Sequence, residues 1–362
     1  MNETPYQILV IPGDGIGREV IPAAVEVLRA TGLPLAFAEA EAGWECFRRR
    51  GAALPEETLA AAREADAVLF GAVASPSHPV PGYRSPIVQL RRALDLYANI
   101  RPVQGVQRGR SPTAGSRQPA ACDLVVVREN TEGLYAGRER VEDGGATAVT
   151  ERVITRRASE RIARAAFELA RQRAARGAAG DRWPSPKVTI VHKANVLRET
   201  CGLFRATALA VAQEYPDVAA EELLVDTCAL QLVERPERFD VIVTTNLFGD
   251  ILSDVACAWG GGLGLAVSAN IGERHALFEP VHGAAPDIAG RGVANPLAAI
   301  GCAAMLLEHL ASRAAGRAGE LRAWAERIRA AIRRAIAQGP HTPDLGGSAG
   351  TKEVTQAIIA GL

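Results

Sequence analysis

The 362-residue sequence lacks several features, and each absence narrows what the protein can be. It has no net charge, with 41 Lys plus Arg against 41 Asp plus Glu. No global field therefore draws it to nucleic acid or to an anionic membrane, and neither partner is expected. Its apolar runs are short, none approaching the roughly 18 residues that a membrane-spanning helix needs. Met1-Asn2-Glu3-Thr4-Pro5 lacks a charged start followed by an apolar core, so no secretory leader is expected. The six cysteines (46, 122, 201, 228, 257 and 302) include no CxxC pair. That argues against a disulfide framework or structural zinc site, and for free thiols in a reducing cytoplasm. No internal repeat is evident.

What is present reads as a folded chain, with 48% hydrophobic and 23% charged residues. The length suits two domains. Short Val/Ile/Leu-rich segments read as strands: Gln7 to Ile11, Ala67 to Phe70, Cys122 to Val127, Lys187 to Val191, Glu222 to Asp226 and Phe239 to Thr244. They alternate with helical patterns such as Arg18 to Ala30, Ala158 to Arg173 and Glu320 to Ala337, which predicts an α/β fold with a largely buried parallel sheet. Gln104 to Ala121 and Ala174 to Pro186 read as loops, and Gly260 to Gly264 as a crossing between domains.

Gly13-Asp14-Gly15-Ile16-Gly17 follows a strand and opens a helix, as a dinucleotide fingerprint does. The third glycine comes one residue early, however, and Arg18 holds its place. The segment reads as a tight strand-to-helix turn.

Candidate chemistry begins at Asn246-Leu247-Phe248-Gly249-Asp250-Ile251-Leu252-Ser253-Asp254. On a helix, Asp250 and Asp254 share one face near its N-terminus. Two carboxylates that close repel unless something positive sits between them, and a hard divalent cation such as Mg²⁺ or Mn²⁺ fits oxygen ligands. The plainer reading is acids favoured by the helix dipole. Asp226, placed at the end of a strand, is a third acid for the set. Arg91, Arg101 and Arg128 each adjoin an apolar segment and offer planar donor pairs for carboxylates, although any one of them alone fits a surface ion pair. Lys193 directly follows a strand, where a desolvated lysine can serve as a base, and Tyr135 can donate a proton or simply pack.

Taken together these segments resemble the β-decarboxylating dehydrogenases, the isocitrate/isopropylmalate dehydrogenase family. The matching motifs span nearly the whole chain: Pro12 to Gly17, Leu94 to Pro102, Arg128-Glu129-Asn130-Thr131-Glu132-Gly133-Leu134-Tyr135, His192 to Val196, Glu279-Pro280-Val281-His282-Gly283 and Thr342 to Gly347. The resemblance implies a two-domain α/β fold distinct from the Rossmann fold. Residues 1–101 plus 260–362 would form a large cofactor-binding domain. Residues 102–259 would form a small domain with the substrate and metal residues and, between Tyr135 and Thr155, an inter-subunit clasp. It implies a homodimer or dimer of dimers with shared sites, Lys193 and Asp226 reaching the partner's Asp250 and Asp254.

The implied metal ligands are Asp226, Asp250 and Asp254, and the implied catalytic pair is Tyr135 and Lys193. Ser85, Arg91, Arg101, Arg128, Tyr135, Lys193, Asn195 and Asp226 would contact a 3-substituted malate. Lys193 would take the hydroxyl proton, hydride would pass to NAD⁺, CO₂ would leave, and Tyr135 would protonate the resulting enolate carbon. Glu279, His282, Gly283, Ala285, Pro286, Asp287, Ile288 and Asn295 would meet the cofactor. Asp287-Ile288 stands where NADP-using relatives resemble Lys-Tyr; a carboxylate accepts from ribose hydroxyls and repels a 2′-phosphate, so NAD is expected. Ser85 with Ile87 most closely resembles homoisocitrate dehydrogenases of lysine biosynthesis. An isocitrate, 3-isopropylmalate or other 3-substituted malate enzyme is the alternative, since one methylene is worth only about 1–3 kcal/mol of discrimination. A catalytically silent regulatory subunit and a metal-free Rossmann enzyme are rival classes.

Overall fold

The computed structural model describes residues 4–78, 80–106, 122–177, 186–314 and 316–362, and no helix within them is long and apolar enough to cross a membrane. Most of the two sequence-predicted loops, 104–121 and 174–186, lies outside that set. The chain forms two compact units, Met1–Leu96 with Gly262–Leu362, and Tyr97–Gly261.

The first unit opens with β1 (Tyr6–Gly13), α1 (Gly17–Ala30), β2 (Leu35–Glu39), α2 (Trp44–Arg50), α3 (Glu56–Glu64), β3 (Ala67–Ala72) and α4 (Pro86–Ala93). The second unit follows with β4 (Ala98–Gln104), β5 (Asp123–Glu129), a hairpin of β6 (Glu139–Glu142) and β7 (Thr147–Thr150), α5 (Arg156–Ala175), β8 (Lys187–His192), α6 (Thr200–Ala212), β9 (Ala219–Leu224), α7 (Val225–Glu234), β10 (Val241–Thr244) and α8 (Asn246–Cys257). The chain then returns to the first unit with β11 (Val267–Ile271), β12 (Ala276–Pro280), α9 (Leu297–Arg313), α10 (Ala318–Gln338) and α11 (Thr351–Ala360). The first segment ends five residues before the boundary expected at 101, because β4, carrying Arg101, pairs along its whole length with β5.

In the first unit the strand order is β2-β1-β3-β12-β11, parallel except for β11 against β12. In the second it is β4-β5-β10-β8-β9, parallel except for β4 against β5. The sheets are thus mixed, not wholly parallel, and the antiparallel strands differ from a Rossmann arrangement. Leu9, Ile11, Val68, Phe70, Leu90 and Leu277 anchor one core; Leu124, Val126, Val191, Phe239, Ile242 and Leu252 anchor the other. Their burial on both faces explains the continuous apolar runs of β1, β3, β5 and β10.

One expected strand is misplaced. Glu222 to Asp226 is not a buried strand ending in an acid: β9 stops at Leu224, its residues are exposed or half-buried, and Asp226 lies in the first turn of α7. An edge strand keeps one long side open to solvent, which permits Glu221 and Glu222 within it.

The turn at Gly13 to Gly17 is structural. A Cβ on Gly13 would meet the Ala72 carbonyl oxygen at 2.0 Å, and one on Gly17 the Pro12 carbonyl oxygen at 2.1 Å. The Asp14 carboxylate is buried and accepts from the backbone N–H groups of Trp44 at 2.7 Å, Glu45 at 3.0 Å and Ala74 at 3.0 Å. It ties three connections at the carboxyl ends of β1, β2 and β3 together.

Candidate active site

The second unit places its chemistry by one topological rule. The strands β5, β10, β8 and β9 run parallel, so their carboxyl ends share an edge, where α/β sheets take up ligands. Arg128 is the penultimate residue of β5, α8 with Asp250 and Asp254 follows β10, Lys193 follows β8, and Asp226 follows β9.

Arg128 is the largest fully buried side chain among the described residues. Its Nε and Nη2 donate to Asn246 Oδ1 at 3.0 and 2.7 Å, its Nη1 donates to Asp250, and the guanidinium lies 5.1 Å from the Tyr135 ring centre. Arg101, buried on β4, donates through Nε to Asn99 Oδ1 at 2.8 Å and through Nη1 to Ser253 Oγ at 2.7 Å. Its Nη2 is 3.3 Å from Asp250, and its Nη1 is 3.4 Å from Asp254. The Arg101 guanidinium therefore lies against both acids and Arg128 adds a second at Asp250, the two held by the buried amides of Asn99 and Asn246 and by Ser253. Sequence reasoning assigned no role to these three; the one signal for them was polarity inside otherwise apolar segments.

Tyr135 donates its phenolic proton to Asp250 Oδ2 at 2.7 Å. Partial burial raises its pKa above the ordinary phenol value, and the bond to Asp250 adds to that, so the proton is retained. The Asp254 carboxyl is also raised, by burial first and by the Asp250 charge, with Arg101 opposing. At the far side of the sheet Lys193 Nζ bonds Asp226 Oδ1 at 2.6 Å, a bond that lowers the Asp226 pKa; Asn195 is exposed in the following turn. Among the described residues no three His, Cys, Asp or Glu side chains converge. Asp226 is not gathered with Asp250 and Asp254, since β8 stands between β9 and β10. As oxygen donors one helical turn apart, Asp250 and Asp254 still suit two positions around a hard cation.

In the first unit Arg91 is buried on α4 and donates to Glu279 Oε1 at 2.8 Å, an oxygen that also accepts from Asn270 Nδ2 at 2.8 Å. Arg91 Nε is buried without a partner. Glu279, grouped with the cofactor residues by sequence, is thus engaged in holding Arg91. Ser85 precedes α4 and makes no side-chain capping bond; Arg84 is exposed.

The 282–295 segment is a loop. Burial lowers the His282 pKa and keeps the imidazole neutral; Nδ1 faces the Gly283 carbonyl oxygen at 3.1 Å, while Nε2 is buried without a partner. Gly283, Pro286 and Asp287 are exposed, and Ala285 and Ile288 half-buried. A Cβ on Gly283 would meet nothing within 4 Å, so open space lies beside it. An orphaned ring nitrogen, an accessible carboxylate and open backbone suit an adenosine. Asn295 is less available: Oδ1 accepts from Leu297 N at 3.0 Å, and Nδ2 donates to Asp344 Oδ2 at 3.0 Å.

With this geometry in view, the family model described as isocitrate/isopropylmalate dehydrogenase matches residues 7–358. An isocitrate/homoisocitrate dehydrogenase of Thermus thermophilus is 52% identical over 357 residues, 99% of this chain and 98% of that protein. A 3-isopropylmalate/3-methylmalate dehydrogenase of Methanocaldococcus jannaschii is 50% identical, covering 98% of each. The crystal structure of isocitrate dehydrogenase from Methylococcus capsulatus superposes with a TM-score of 0.87 at 44% identity, over 98% of this chain and 99% of that one.

Proposed function

Since the chain belongs to the isocitrate/isopropylmalate dehydrogenase family, we propose that it catalyses NAD- and Mg²⁺- or Mn²⁺-dependent oxidative decarboxylation of a 3-substituted malate, with homoisocitrate as the first candidate. The observation that carries this reading is the Tyr135–Asp250–Arg128–Arg101 cluster, which combines a retained phenolic proton, an acid pair and two oriented guanidinium groups.

When bound, a divalent cation on Asp250 and Asp254 supplies Lewis-acid polarisation, and NAD⁺ accepts the hydride. Arg101 and Arg128 exchange part of their hold on the acids for the substrate carboxylates, with Asn99 and Asn246 keeping both planes fixed. Lys193 receives the hydroxyl proton. Tyr135 delivers its proton to the carbon that has lost CO₂.

The working form is a homodimer in which Lys193 and Asp226 of one copy complete the site around Asp250 and Asp254 of the other. Asp226, Leu230 and Val233 fall at helical spacing on one face of α7, with Leu230 57% and Val233 52% exposed. Val196, three residues past Lys193, is 65% exposed, and Ile251 beside Asp250 is 52% exposed. Apolar side chains flanking catalytic ones suit burial against a second copy.

A second reading, a 3-alkylmalate, is favoured by Val88, which lies three residues before Arg91 on the same helix. NADH formation with homoisocitrate, isocitrate, 3-isopropylmalate and tartrate, each with Mg²⁺ and after chelation, distinguishes these substrates. Homoisocitrate is expected to give the highest kcat/KM, with activity abolished by chelation. Full turnover without metal would overturn the proposal.

A further inference from the structure

The turn that presents Asp287 and Ile288 does not stand by itself. It begins at Ala284, whose carbonyl oxygen accepts from Ile16 N at 2.9 Å, and it ends at Gly290, whose N–H donates to Glu19 Oε1 at 2.6 Å. Between these points Ile288 N and Ala289 N both donate to the Ala285 carbonyl oxygen at 3.2 Å. Ala285 sits at φ +40°, a left-handed conformation costly for a side-chain-bearing residue, and Gly290 at φ +79°. A turn so bent persists only where its surroundings hold it.

The holder is the opening of α1. A Cβ on Gly15 would strike the Ala284 carbonyl oxygen at 2.0 Å, so the two backbones are in intimate contact there. Glu19, in the first turn of α1, fastens the other end. Its Oε2 is buried without a partner, so the carboxylate keeps a desolvated oxygen at a cost and spends the other on this one bond.

We propose that Glu19 is a positioning residue for the dinucleotide: through Gly290 it holds the 284–290 turn in the conformation that offers Asp287 to the adenosine ribose. The segment that looks like a misspaced phosphate-binding fingerprint is then the mould for the turn that selects the cofactor. This rests on the reading of 282–295 as the adenosine site. Pre-forming the turn spares its ordering when the dinucleotide binds.

The test is NADH binding followed by fluorescence titration, without metal or acid substrate, on Glu19→Ala, Glu19→Gln and Glu19→Asp. Loss of the bond in E19A is expected to raise Kd about tenfold. E19Q, which keeps an acceptor at the same reach, should stay within about threefold, while the shorter E19D should behave like E19A. Wild-type affinity in E19A, or equal weakening in E19A and E19Q, overturns the proposal. Near-ultraviolet circular dichroism checks folding, and if E19A does not fold, E19Q against E19D carries the same comparison. Asp287→Ala is measured alongside. If it leaves affinity unchanged, the adenosine reading itself falls; if it weakens binding while E19A does not, only the role of Glu19 falls.

Discussion

At the scale of single residues, Gly249 decides where Arg128 can be. A Cβ at position 249 would lie 2.6 Å from both Cβ and Cγ of Arg128, so α8 reaches β5 only because nothing projects there. Gly249→Ala must push either the helix or the arginine aside, at about 1–3 kcal/mol for the overpacking. Because Arg128 and Asp250 move together, kcat/KM is expected to fall about 100-fold with a modest loss of Tm. Steady-state kinetics beside thermal melting reads both. Asp250 and Asp254 were legible in sequence as an i, i+4 pair, whereas Gly249 was visible only as a letter between them. Its purpose depends on a strand more than a hundred residues away.

At the scale of elements, α9 is buried along most of its length, which places a histidine where an ion is costly. His309 lies 5.7 Å from the Phe278 ring of β12, its Nε2 is buried without a partner, and burial lowers its pKa from 6.5 to about 4. The folded state therefore resists a proton that the unfolded chain accepts. Stability contributed by neutral His309 is complete above pH 6.5 and is lost as pH falls from 6.5 towards about 4. His309→Leu is expected to flatten the decline of Tm across that window, leaving the carboxylate-driven loss at lower pH; melts from pH 7 to 4 check this. The same contrast between burial and edge accounts for β9. Its Leu residues mark a strand in sequence, but that it begins at Ala219, stops at Leu224 and lies at the sheet edge follows only from its pairing with β8.

For the whole molecule, the separation of Asp226 from Asp250 and Asp254 makes the shared-site proposal testable without a structure of the dimer. Lys193→Ala and Asp254→Ala are each expected to be inactive. Co-refolded in equal amounts, half of the dimers should be mixed, each with one intact site, restoring about a quarter of wild-type activity. A mixture as inactive as its parents would mean that each chain builds its own site. Size-exclusion chromatography of Leu230→Asp is expected to show a shift towards monomer.

By itself the sequence determined the α/β class, the apolar centres of several buried strands and the motifs of a dehydrogenase family, because burial periodicity and residue chemistry are local properties. It also carried the carboxylate pair and the arginines as types. Tertiary structure decided their partners: Asn99 and Asn246 on the guanidinium groups, Glu279 on Arg91, and Glu19 on the turn at Gly290. These bonds join residues distant in the chain or turned towards each other only by strand pairing, so no window of sequence contains the geometry that gives them meaning.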